Sequence, residues 1–127
     1  MKITAVIARF LLSLIFLIFG LNGFLHFIPM PPPTGTAGQF MGALFVSNYL
    51  VVVFLLQIIP AILLLINRYV PLALTLLAPI IVNILLFHTL MLPSGLPLAI
   101  IVTVLWFLVF LSVRPAFVGL LQQRVAA

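Results

Sequence analysis

The chain of 127 residues contains no Asp and no Glu. Without a side-chain carboxylate it has no acidic general base, no acidic proton carrier and no carboxylate metal ligand, and no Ser-His-Asp arrangement can be assembled. It contains no cysteine, which excludes disulfides, thiol redox chemistry and thiolate metal ligation while leaving the compartment open. No glycine-rich nucleotide-binding motif is present. Charge is scarce altogether, at 4% of residues, where a soluble domain carries about a quarter. Hydrophobic residues make up 67% of the chain and the mean hydropathy is +1.57. No soluble surface can be built from this inventory, so the sequence reads as an integral membrane protein. The net charge of +5 comes from five Lys and Arg spread without a run. They read as topology signals rather than a nucleic-acid site, with attraction to anionic lipid headgroups secondary.

A helix needs about 20 apolar residues to cross about 30 Å of hydrocarbon. Four segments qualify, at about 5–28, 40–66, 70–92 and 96–113. The opening "MKITAVIARF" is basic and then apolar like a signal peptide, yet the apolar run continues to Ile28 with no A-x-A-like site, so it reads as an uncleaved first span. "PMPPPTGTAG" breaks the helix because proline lacks the N–H and clashes with the preceding turn. "NRY" and "PSG" read as short turns, with Pro97 suited to the first turn of the last span. Lys2 and Arg9 open the first span, Arg68 lies between the second and third, and Arg114 and Arg124 follow the fourth. All fall on one side, which the positive-inside rule makes the cytoplasm, so both termini and the Asn67–Arg68 turn are expected there. Short connections make successive helices neighbours, predicting an all-α, four-transmembrane-helix, up-down-up-down bundle of a single domain, residues 1–127. The tail "PAFVGLLQQRVAA" reads equally as a short interfacial helix, with Phe117, Leu120, Leu121 and Val125 in lipid, or as a disordered end.

Polar groups in hydrocarbon are costly unless paired. Those inside the spans are Arg9, Asn22, His26, Ser47, Asn48, Gln57, Asn83 and His88, most of them in the outer half. Asn22 and His26 are four apart and share a helical face with Phe19. Asn83 and His88 are five apart and point about 140° away from each other. Asn22, His26, Asn83, His88 and Gln57 are the candidate ligand contacts. Each has a plainer reading: interhelical hydrogen bonding for Asn22, Asn83 and Gln57, interfacial placement for the histidines, and snorkelling for Arg9. Pro60 and Pro79 free carbonyls inside spans, which kinks explain as readily as sites. Gly38-x-x-x-Gly42 matches a small-xxx-small packing motif, and the single Trp106 needs a partner for its N–H. No metal site is expected, and the spacing of the two histidines does not call for axial haem ligation. A hydrophobic cavity with His and Asn hydrogen bonders suits a quinone, a lipid or another protein's membrane anchor.

"ARFLLSLIFLIFGLNGFLHF", "PMPPPTGTAGQFMGAL" and "NRYVPLALTLLAPIIVNILLFHTLMLPSGLPLAI" together resemble the DoxX-like family of membrane proteins, from Ala8 to about Val113. The most specific portions are "PLALTLLAPIIVNILLFH" and "PSGLPLA". The resemblance implies a small four-span protein of the bacterial inner membrane. Named members include a subunit of thiosulfate:quinone oxidoreductase, and others are associated with oxidative-stress assemblies. It carries Arg9, Asn83 and His88 over as candidate positions. The chain departs from the family at Asn22, where relatives often have a basic residue, and at Gln57, where they often have an acidic one. If a buried ion pair or proton carrier is part of the family's chemistry, neutral groups stand in its place here.

The expectation is an accessory or quinone- or lipid-binding subunit associated with a membrane oxidoreductase, not catalytic alone. The competing readings are a non-enzymatic anchor or assembly factor for another membrane complex and, third, a small transporter. Membrane lipids are expected partners, with another membrane subunit or a second copy of the chain (a homo-oligomer) as further ones and no nucleic acid.

Overall fold

The computed structural model describes residues 2–125. Those residues form five α-helices, with no strand among them: α1 Lys2–Leu25, α2 Gly35–Val46, α3 Tyr49–Leu65, α4 Val70–Leu90 and α5 Leu96–Val113. A 3₁₀ turn, Pro93–Gly95, joins α4 to α5, and a 3₁₀ segment, Arg114–Leu121, follows α5. Three helical stretches are long and apolar enough to cross a membrane, and the α2–α3 pair makes a fourth if its two bent pieces count as one.

The single helix expected over 40–66 is two. The chain turns through 88° between α2 and α3. The corner is Ser47–Asn48, where Asn48 takes the left-handed conformation at φ 63°, which Asn tolerates better than most side chains. Ser47 Oγ accepts the Tyr49 N–H at 3.4 Å and donates to the Leu44 carbonyl at 3.3 Å. Ser47 and Asn48 thus belong to a corner and not to the wall of a span. The 17 residues of α3 measure about 26 Å at 1.5 Å per residue. α2 also starts earlier than expected, taking in Gly35, Thr36 and Gly38 of the segment read as non-helical. Its Ala37 is buried.

α1 packs on α3 and α5, and α4 packs on the same two, so α1 and α4 sit diagonally. The core includes the fully buried Leu12, Leu64, Leu74, Leu77 and Val109, with Ala8, Ala61 and Ala73 buried among them. Large apolar side chains cover the outside, among them Ile101, Val104 and Phe107 of α5 and Val52, Leu55 and Ile59 of α3. Helices apolar all round fit a surrounding of lipid.

Interhelical polar ties are few and identifiable. Ser13 Oγ, fully buried, donates to the Ala61 carbonyl at 2.7 Å. Arg9 Nη1 donates to the Leu64 carbonyl, with Leu65 O at 3.5 Å. Trp106 Nε1 donates to the Leu74 carbonyl at 2.9 Å, which supplies the partner its N–H requires. Its ring stacks on Phe110 at 5.3 Å, and Phe110 in turn meets Phe117 of the tail at 5.1 Å. The 3₁₀ tail is therefore tied to α5 through Phe117, while Leu120, Leu121 and Val125 are exposed.

The glycines that matter for packing differ from the pair singled out in the sequence. A Cβ on Gly42 would meet nothing within 4 Å, and one on Gly38 would meet only the Pro33 carbonyl, so Gly38-x-x-x-Gly42 joins no helices. Gly20 and Gly23 do: a Cβ on Gly20 would stand 2.8 Å from Ile58 Cγ1, and one on Gly23 would overlap the Phe54 ring. They let α1 and α3 approach closely, as small residues do between membrane helices.

Candidate functional site

The candidate side chains are placed by how each helix ends. α1 stops at Leu25, and His26 turns left-handed at φ 52° while its N–H still reaches the Asn22 carbonyl at 2.9 Å. The shared helical face expected for Asn22 and His26 therefore ends before His26, whose side chain is exposed. Asn22 is 8% exposed. Its Oδ1 accepts the Ile28 N–H at 2.7 Å, fastening the outgoing chain across the end of the helix. This is a local side-chain-to-backbone hydrogen bond that orders the chain leaving the helix.

Gln57 is buried to the same extent, beside Gly20 on the α1–α3 seam. Asn83 is exposed, and its Nδ2 donates to the Pro79 carbonyl one turn back, as Thr75 does to Pro71. Pro60 is buried and Pro79 exposed, and both α3 and α4 continue through their prolines.

His88 is half-buried at the end of α4. Its Nδ1 lies 3.0 Å from the Leu92 carbonyl. A carbonyl only accepts, so Nδ1 carries a proton, and when the ring is neutral Nε2 is an acceptor. Phe87 meets the imidazole edge-on at 5.1 Å and Phe40 of α2 at 5.7 Å, so an aromatic series links α2 to the α4–α5 turn. Gly95 lies directly beneath the imidazole, where a Cβ would overlap it.

Among the described residues, no two of Asn22, His26, Gln57, Asn83 and His88 are hydrogen-bonded to each other. Asn22, Asn83 and His88 bond to backbone groups near in sequence. No group of three or more His, Cys, Asp or Glu that could hold a metal occurs among the described residues.

Arg9 sits at the other end of the molecule. α3 closes there in a Schellman motif: the Asn67 N–H bonds the Leu64 carbonyl at 3.2 Å and the Arg68 N–H the Leu63 carbonyl at 3.0 Å, with Asn67 left-handed at φ 56°. Arg9 adds a guanidinium to the Leu64 and Leu65 carbonyls, placing positive charge at the negative end of the helix dipole. It also lies 4.6 Å from the Phe10 ring centroid. Beyond the snorkelling expected of it, Arg9 thus caps α3. Ser13 and the Gly20–Gly23 pair were not singled out in the sequence. Ser13 had a signal, as a hydroxyl one helical turn from Arg9 within an apolar run.

Asn22→Ala removes the acceptor of the Ile28 N–H. The bond is part-buried, so the loss should lie toward the low end of the about 1–3 kcal/mol that an unpaired buried group costs, and the unfolding midpoint in detergent is expected to fall. Asn22→Gln, which keeps a neutral amide acceptor, should retain more stability than Ala, and equal midpoints for the two would contradict the role of the hydrogen bond to Ile28.

Comparison with family models, with curated proteins and with solved structures returns no match for this chain.

Proposed function

We propose that the chain is an accessory subunit of a bacterial inner-membrane assembly, of the quinone-linked oxidoreductase kind that its resemblance to the DoxX-like family implies. In this reading α1, α2–α3, α4 and α5 are four crossings of an up-down-up-down bundle. Both termini and Arg68 face the cytoplasm, with α2 lying along the outer surface. One observation carries the accessory role: the polar side chains within the helices hold backbone carbonyls or turns, as Arg9, Ser13, Asn22, Asn83, His88 and Trp106 do. The broad apolar exterior is then the surface through which the protein acts, by packing against a partner in the membrane.

A photoreactive residue in place of exposed Phe107 tests this in cells. The expected result is one discrete adduct with a membrane protein that carries a redox centre. Adducts with lipid or with a second copy alone would contradict it.

A quinone or quinol at the outer end is a second reading, favoured by His88. Its Nε2 is an acceptor beside Phe87, suited to a quinol hydroxyl. Purified protein should then retain quinol, and His88→Ala should lose it. Equal retention by native and variant protein would remove the site.

A further inference from the structure

We infer that Gln57 receives the hydroxyl head of a neutral, lipid-soluble molecule at the α1–α3 seam, where the closely packed half of the bundle ends. Among the described residues, three polar side chains are buried: Ser13, Asn22 and Gln57. Ser13 Oγ donates to the Ala61 carbonyl, and Asn22 Oδ1 accepts the Ile28 N–H. The Gln57 amide, on a residue only 8% exposed, has no hydrogen-bond partner among the described residues. No fully enclosed side-chain nitrogen or oxygen there lacks a partner, so this amide stays reachable from outside the chain. An unpaired amide in an apolar surrounding is costly, and a bound hydrogen-bonding group removes that cost.

The packing of the helices places Gln57 within reach. The buried residues of α3 are Gln57, Pro60, Ala61 and Leu64, and those of α4 lie between Val70 and Ile81. Residues 49–56 of α3 and 82–90 of α4 contribute none, over about 12–14 Å of each helix at 1.5 Å per residue. Gln57 is therefore the first buried side chain of α3 met from the end opposite Arg9. On its other side Gly20 brings the α1 backbone close, since a Cβ there would stand 3.4 Å from Gln57 Cβ. The chemistry of the site narrows the ligand. α3 carries no charged side chain, so an ion at this depth would lack a counter-charge, and the ligand is neutral with an apolar body. The amide presents an acceptor oxygen and an NH₂ donor. A hydroxyl both donates and accepts, whereas a ketone or ester carbonyl only accepts and would leave Oε1 unpaired.

The test uses the purified full chain in detergent and a photoreactive analogue of dodecanol with its diazirine near the hydroxyl. Labelling should map to α1 and α3 around Gly20 and Gln57, and unlabelled dodecanol should compete for it while dodecane does not. Gln57→Met removes the amide at similar length and volume. It should weaken the competition at least about fivefold, which one or two neutral hydrogen bonds supply. Its unfolding midpoint without ligand should stay at or above the native one, because an unpaired buried amide adds no stability. Gln39→Met, at an exposed position of α2, should change neither. The site is overturned by labelling elsewhere or by equal competition from dodecane. It is overturned equally by unchanged competition in Gln57→Met, which would leave water as the partner of the amide. A lower midpoint for ligand-free Gln57→Met would also overturn it, since the amide would then be paired within the chain.

Discussion

Replacing Arg9 with Met is expected to destabilise the protein in detergent by about 2 kcal/mol, the range for hydrogen bonds to a charged donor. Met fills a similar volume, so the loss reports the guanidinium rather than packing. Arg9 joins the first turns of α1 to the last carbonyls of α3, Leu64 and Leu65. Those carbonyls lie at a helix terminus, where backbone acceptors outnumber donors and the dipole favours a cation. Arg9→Lys keeps the charge but loses the fork, so it should recover part of the stability. Chemical denaturation in detergent measures all three proteins. A midpoint for Arg9→Met equal to the native one would mean that the arginine only snorkels.

Gly23→Leu is expected to cost about 1–3 kcal/mol, the usual penalty for forcing a larger side chain into a packed contact. The position touches the Phe54 ring, which is itself held edge-to-face by Phe24 at 6.0 Å. Phe54 must rotate, or α1 and α3 must move apart, to admit the larger side chain. Phe54→Ala empties that space, so the double variant should be more stable than the sum of the two single changes predicts. The coupling follows from a double-mutant cycle. Strict additivity would place the cost elsewhere than at this contact. Gly20, with Ile58 as its neighbour, predicts a milder effect for Ala because a side-chain terminus can shift.

The existence of breaks at the Pro-rich segment, "NRY" and "PSG" was legible because proline and turn residues act locally, although at the first of them α1 ends at Leu25 and α2 begins at Gly35 rather than at the expected 28 and 40. The corner at Ser47–Asn48 was not, since it lies within "LFVSNYLVV", where hydropathy averages over two polar residues. A left-handed Asn was the available signal, and only the tertiary fold decides whether such a residue turns the chain. Asn22 was legible as a polar group needing a partner. Its partner, the Ile28 N–H beyond the end of the helix, was not, because the reach depends on where α1 stops. Likewise the need of Trp106 and Arg9 for acceptors could be read, but carbonyls of α3 and α4 carry no sequence signature. Of the five basic residues, two, Lys2 and Arg9, line one recess together with the uncharged Asn67 and Ser112.

The most direct test is of the proposed topology, in which α1, α2–α3, α4 and α5 cross the membrane with the basic end inside. The absence of native cysteine makes single-cysteine reporters unambiguous. Gln39→Cys on α2, Ser94→Cys in the α4–α5 turn and Arg68→Cys in the α3–α4 turn are each exposed positions. With a membrane-impermeant maleimide, the first two should label in cells whose outer envelope alone is opened, and Arg68→Cys only after the inner membrane is broken. Labelling of Arg68→Cys in intact inner membranes, or of Gln39→Cys and Ser94→Cys only after lysis, would contradict it.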